Sequence, residues 1–361
     1  MTIKRVIKIL TVLAVLTICS CTTKQDNSNG LFIEEAMNSQ LLGKDIRLFT
    51  ITSLNDTIRF IKVNADTTQA KPVILFLQGS LPIPLLFETG DNDYFVSALN
   101  NFDYQTLSKK YNFVLISKPH TPIVANDNYL NHQYAYVPDI SKPYDFDTNY
   151  LRDNHLLKHV EQSNAVLQFL RQQEWVKNDS IILLGHSQGA HIVVHLAEQN
   201  PDILALGYFG GNVLGRFTGI IMEQRVAAIK GKISQEEAQS NIEFWYNWWQ
   251  DVCRRGEKIY PTDPVHTWKS FSSQYIEKFV ALKMPVFIAY GTEDICALSC
   301  DLLPVFFELA GKTNYKMRPF VGMGHNFEEI TPDGKSNWDN MYWDTAINEF
   351  INWVNNNENI P

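Results

Sequence analysis

Short apolar runs without alternation punctuate the chain at residues 73–77, 113–117, 181–184, 204–209 and 286–290. Each is stopped by Gly, Pro or polar residues. A strand buried on both faces shows no period of two, so such runs predict a parallel sheet covered on both sides. Residues 315–320 supply a last strand. Ahead of the first run, residues 46–51 and 57–63 read as a hairpin-like pair joined by Ser53-Leu54-Asn55-Asp56.

Helical spacing fills the gaps between the runs. Residues 151–173 carry Leu156, Leu157, Val160, Val166, Leu167 and Leu170 on one face. A second helix is expected over 190–199, stopping before Pro201, and an amphipathic one over 338–354. Strand, helix and strand in this order mean right-handed crossovers and a doubly wound α/β sheet. Residues 213–283 break the rhythm. There Ser234 stands three residues before Glu237, a capping box that starts a helix running into Trp245, Tyr246, Trp248 and Trp249. This stretch is expected to be a helical cap inserted into a core of residues 45–212 and 284–361. Most of its aromatics should pack the cap onto the core. Trp248 and Trp249 are adjacent and point different ways on a helix, so at least one should face a boundary or a cleft.

The first 20 residues belong to neither part. Lys4, Arg5 and Lys8 precede a short apolar stretch, residues 9–18, too short to span a bilayer and typical of an export signal. Ile18-Cys19-Ser20-Cys21 follows, then polar residues. A small residue before a cysteine at this point resembles the bacterial lipoprotein box, which implies cleavage before Cys21, lipidation of Cys21, and residues 21–44 as a tether. It also implies a location in the bacterial cell envelope, anchored to the membrane by lipid. Cleavage removes Lys4, Arg5 and Lys8 and no acid, so the net charge moves from −8 to −11. Such a charge would not draw the protein onto anionic lipid, leaving the lipid as the anchor. It also argues against nucleic acid as a partner, since phosphate affinity rests on clustered Lys and Arg. Cys253, Cys296 and Cys300 remain, and in an exported chain the close pair Cys296 and Cys300 is either a bridge or two buried thiols.

Candidate chemistry centres on Gly185-His186-Ser187-Gln188-Gly189, between an apolar strand and a helix. Glycines on either side allow a sharp strand-to-helix turn that exposes the serine hydroxyl. The turn also aims the amide of Gln188 and a helix N-terminus at a reacting oxygen. A serine needs a base. Gly322-Met323-Gly324-His325-Asn326 follows the last strand, so His325 is the expected base. The orienting acid belongs after the strand 286–290, where Gly291-Thr292-Glu293-Asp294 places Asp294, with Glu293 as the fallback. A second oxyanion amide is expected in Gln78-Gly79-Ser80, assigned to Ser80, with residues 81–85 as a wall of the acyl pocket. His191 and His195 stand one helical turn apart but have no third ligand pattern, so no metal is expected. No cofactor is implied.

With its order Ser, Asp, His on strand-ending turns, the chain resembles the α/β-hydrolase superfamily from about Ile46 to its C-terminus. The resemblance implies an α/β-hydrolase fold, with a mostly parallel eight-stranded sheet and a cap where one is read above. It also implies a Ser187–His325–Asp294 triad, with Ser80 and Gln188 as oxyanion donors. Gln78-Gly79 stands where many members have His-Gly. The expected activity is hydrolysis of a carboxylic ester through an acyl-enzyme, on a small-molecule or peptide acyl substrate. A serine peptidase of aminopeptidase or prolyl type is the alternative within the same chemistry, with Glu88, Asp91 and Asp93 as candidates to hold a free amine. A lipid-anchored binding protein on an inactive scaffold is the alternative outside it.

Overall fold

The computed structural model describes residues 33–357 except 43–44, 54–55, 91–92, 255–258 and 261–262. The export signal and Cys21 lie outside the described residues. A nine-stranded sheet forms the centre. Its strands are β1 (Ile33–Leu42), β2 (Ile46–Ser53), β3 (Asp56–Val63), β4 (Lys71–Leu77), β5 (Asn112–Ile116), β6 (Val176–His186), β7 (Ala205–Phe209), β8 (Val286–Gly291) and β9 (Tyr315–Phe320). Their spatial order is β1-β2-β3-β5-β4-β6-β7-β8-β9. β1, β2 and β3 pair antiparallel with their neighbours, and every pairing from β5 to β9 is parallel. The strand order turns back at β4, with β5 on one side and β6 on the other, and the strand ends at that switch point face one crevice.

β4 shows why its run lacks alternation. Val73, Leu75 and Leu77 point into one apolar layer, and Ile74 and Phe76 into the other. Helices α1 (Leu156–Leu170) and α2 (Gln188–Gln199) supply the first layer with Val160, Val166, Leu167, Val193 and Leu196. A closing helix, Trp343–Asn357, supplies the second with Ala346, Ile347, Phe350 and Val354.

Three boundaries differ from expectation. The tether's second part, Ile33–Leu42, is the edge strand β1, in a sheet one strand wider than expected; its sequence has no regular alternation, and its pairing slips between Glu34 and Asn38. The helix expected over 151–173 is two, Thr148–Asp153 and α1. Asn154 and His155 leave the helical path between them, and His155 caps α1 by accepting from the Lys158 amide. The closing helix starts at Trp343, because Ser336–Met341 pairs as a strand with Glu328–Ile330.

Between β7 and β8 the chain forms helices α3 (Arg216–Ile229), α4 (Gln235–Arg254), Val265–Phe271 and Ile276–Ala281. Ser234 Oγ accepts from the Glu237 amide at 3.0 Å, as its capping position demands. Trp249 stacks on Phe217 with ring centres 4.5 Å apart, and Trp248 meets Trp268 edge-on at 4.9 Å. Both are consumed by packing among these helices, and neither lines the cleft described below. No described helix is long and apolar enough to cross a membrane.

Candidate active site

β6 runs into α2 through Ser187, whose backbone stands at φ +57° and ψ −120°. Positive φ is costly for serine, and the surroundings enforce it. A side chain on Gly185 would lie 2.3 Å from the Gly189 carbonyl oxygen, and one on Gly189 would lie 1.8 Å from that of Leu77. Glycine at both places is what lets strand, turn and helix approach β4 so closely. The Ser187 amide donates to the Phe209 carbonyl at 3.0 Å, tying the turn to β7.

His325 reaches the turn from the loop after β9. Its Nε2 lies 2.9 Å from Ser187 Oγ, and its Nδ1 lies 2.7 Å from Asp294 Oδ2. Asp294 follows β8; its other oxygen accepts from the Cys296 amide at 3.1 Å. A side chain on Gly291 would meet the Met323 carbonyl oxygen at 2.2 Å, so that glycine admits the histidine loop beside the acid. The loop is pinned by Glu328, which accepts from the Asn326 amide at 2.8 Å, and by His186, whose Nε2 lies 3.0 Å from the His325 carbonyl oxygen. Burial, then the nearby His325 charge, pushes His186 down to about 3, so it is neutral and donates. The structure thus brings together Ser187, His325 and Asp294, which span 138 positions of sequence. Glu293 is turned away and pairs with Lys230 at 2.6 Å.

The charges fit proton transfer. For Asp294, burial pushes the carboxyl up, but the His325 hydrogen bond and charge and the Cys296 amide outweigh it, leaving it below the ordinary range. For His325, burial pushes the imidazole down, and the Asp294 carboxylate more than reverses this. The histidine is held with a proton on Nδ1 and a lone pair toward the serine.

Gln188 opens α2, so its amide has no acceptor within the helix. Ser80 lines the cleft, and its carbonyl is fixed by the Tyr150 hydroxyl at 2.9 Å. Gly79 packs against the nucleophile, with Ser187 Oγ 3.9 Å from where a side chain would start. Gln78 ties the loop across its base, donating to the Ile83 carbonyl at 3.3 Å. Residues 81–85 do not line the cleft as expected: Leu81 packs instead against the small core of Ala135, Val137, Phe146, Tyr150 and Leu151.

The cleft above Ser187 has a volume of about 210 Å³ and is bounded by α3 as well as by the catalytic loops. Arg216, Glu223 and Asn212 line it, as does His191. Sequence reasoning passed over Arg216, Glu223 and Asn212 and weighed His191 only as a metal ligand; Arg216 and Glu223 sit two helical turns apart on one face, the one periodic signal available. It also passed over Lys118. This lysine is buried beyond the end of β5, and its Nζ donates to Gln188 Oε1 at 2.6 Å. Burial pushes it down to about 7. A lysine closing an apolar parallel strand, where such sheets place their sites, was the available clue.

The remaining candidates have other occupations. His191 and His195 stack at 5.1 Å, and His191 packs on Tyr275. His159 is buried and bonds Asn154 at 3.0 Å. Among the described residues the one His/Cys/Asp cluster with metal-like spacing is Asp294, Cys296 and His325, two of which are already joined by a hydrogen bond. Cys253, Cys296 and Cys300 are free thiols, and Cys300 Sγ is spent on the Gly211 carbonyl. Glu88 is exposed on a hairpin strand outside the cleft, and Asp91 lies outside the described residues.

A mostly parallel sheet with a strand-to-helix turn bearing the serine defines the α/β-hydrolase fold, and that is the fold of this chain. It is similar to the α/β hydrolase GrgF from Penicillium sp. sh18, with a TM-score of 0.50 at 12% identity, over 87% of this chain and 99% of that one. Est1E from Butyrivibrio proteoclasticus aligns with a TM-score of 0.47 at 15% identity, over 86% and 99%. The glucuronoyl esterase from Solibacter usitatus gives 0.46 at 12% identity, over 91% and 86%. Identities this low speak to the fold alone. No family model matches the chain, and no curated protein matches it by sequence.

Proposed function

We propose that the protein is a serine hydrolase that cleaves a carboxylic ester through an acyl-enzyme on Ser187. The observation that carries this is the continuous chain from Ser187 Oγ to His325 Nε2 (2.9 Å) and from His325 Nδ1 to Asp294 Oδ2 (2.7 Å). His325 takes the serine proton as Oγ attacks the ester carbonyl, then gives it to the departing alcohol. Asp294 holds the imidazole in the required tautomer and stabilises its positive charge. The amides of Ser80 and Gln188 receive the carbonyl oxygen as it becomes negative. Water then repeats the sequence on the acyl-enzyme and releases the acid. A peptidase on the same residues is not favoured by Glu88, which stands outside the cleft.

The enzyme works at the bacterial cell envelope, held to the membrane by lipid on Cys21; the support is the sequence of the export signal and the cysteine after it. Fluorophosphonate labelling tests the chemistry. A single adduct on Ser187 is expected, absent from Ser187→Ala. Labelling elsewhere, or none with an open cleft, would reject an activated serine here.

A further inference from the structure

The cleft has two poles. Arg216, Gly219, Ile220 and Glu223 line it from α3 at spacings of three, four and seven, one face of one helix. At the first pole the guanidinium of Arg216 is fixed from two directions. Its Nη1 donates to Asp263 Oδ2 at 2.7 Å, and its central carbon lies 3.7 Å from the ring centre of Trp268. About a third of the side chain, 34%, stays exposed, and among the described residues only Nη1 has an acceptor. A planar fork anchored by one arm presents its other N–H groups in a fixed geometry suited to a carboxylate.

A second observation points to a ligand in the same cavity. His191 is 5% exposed, lines the cleft, and its Nε2 has no hydrogen-bond partner. A buried polar atom in that condition is costly unless something else meets it. Burial, then the charge of neighbouring His195, holds His191 neutral, so it can offer one N–H.

The opposite pole is Glu223, seven residues along α3. Burial, then the charge of Asp294, pushes its carboxyl up.

We infer that the substrate is an ester that carries a carboxylate, bound by Arg216 with His191 as a second donor. This rests on the acyl-transfer chemistry proposed above and adds the substrate class.

The test compares monomethyl succinate with methyl butyrate, which differ by a carboxylate for a methyl, in a pH-stat with the full-length protein. Wild type is expected to favour the succinate ester by tenfold or more in kcat/KM. Arg216→Met should remove that preference, and Arg216→Lys, a point charge without the fork, should restore part of it. Equal rates on the two esters in wild type, or an unchanged ratio in Arg216→Met, would overturn the inference while leaving the hydrolase standing. Calorimetric titration with succinate gives a readout that does not need turnover. Binding by Ser187→Ala that is lost in Ser187→Ala/Arg216→Met supports the site. Absence of binding overturns it, even should Ser187 prove unreactive.

Discussion

Replacing Asp294 by Asn keeps the size of the side chain, removes its charge and turns one acceptor into a donor. In the native site one oxygen accepts from the Cys296 amide at 3.1 Å and the other from His325 Nδ1 at 2.7 Å. The Cys296 N–H still needs an acceptor, so Asn must keep its oxygen there and turn its NH₂ toward His325. Nδ1 then has to accept, the imidazole proton moves to Nε2, and Nε2 can no longer take a proton from Ser187. The wrong tautomer costs about 10⁴-fold in turnover where the same exchange is known in a serine protease, or about 5.5 kcal/mol at 1.36 kcal/mol per decade. The side chain of Asp294 is 4% exposed, so water cannot stand in as the missing acceptor. We therefore expect kcat for Asp294→Asn to fall by about 10³ to 10⁴ with KM little changed, measured on a chromogenic short-chain ester.

The pH profile gives an independent sign. Asp294 raises His325, so wild-type kcat/KM should decline with acid through a value above the ordinary imidazole one. In Asp294→Asn that raising influence is gone and burial still lowers the group, so the acid limb moves to lower pH. Turnover within threefold of wild type, with an unmoved acid limb, would refute the assignment and shift attention to Glu293.

Other perturbations separate turn, oxyanion support and anchoring. Gly189→Ala puts a methyl 1.8 Å from the Leu77 carbonyl oxygen; a loss of about 3 kcal/mol or more is expected in chemical denaturation, and a loss under 1 kcal/mol would mean the turn is not as tight as drawn. Lys118→Met removes the donor 2.6 Å from Gln188 Oε1; kcat should drop about tenfold with KM steady, and a lowered melting temperature with unchanged kcat would assign Lys118 to stability alone. Cys21→Ala should release an active protein into the soluble fraction, and a variant as firmly membrane-bound as wild type would remove lipidation from the account.

Much of this protein is legible along the chain because its signals are local. A strand buried on both faces must be apolar at every position, so 73–77, 181–184 and 286–290 declare themselves. Ser187 is marked by glycines two residues to either side, which the contacts of 1.8 and 2.3 Å require whatever else the protein does. Asp294 and His325 are readable because a doubly wound sheet puts its site at strand ends, and each stands a few residues past one. What the chain could not declare were pairings made only in space. β1 has no alternating pattern and is a strand because β2 offers an open edge. Trp248 and Trp249 looked like candidates for a cleft, but Phe217 and Trp268 arrive from other helices to cover them. Lys118 and Arg216 carry no motif. Their roles come from Gln188, Asp263 and Trp268, residues 47 to 70 positions away that the fold sets within 4 Å. Backbone period and turn chemistry are properties of neighbours in sequence, so sequence alone determined the parallel strands and the residues that meet at the Ser187 turn. The polarity of the cleft is a sum over neighbours in space, and only the tertiary structure decided it.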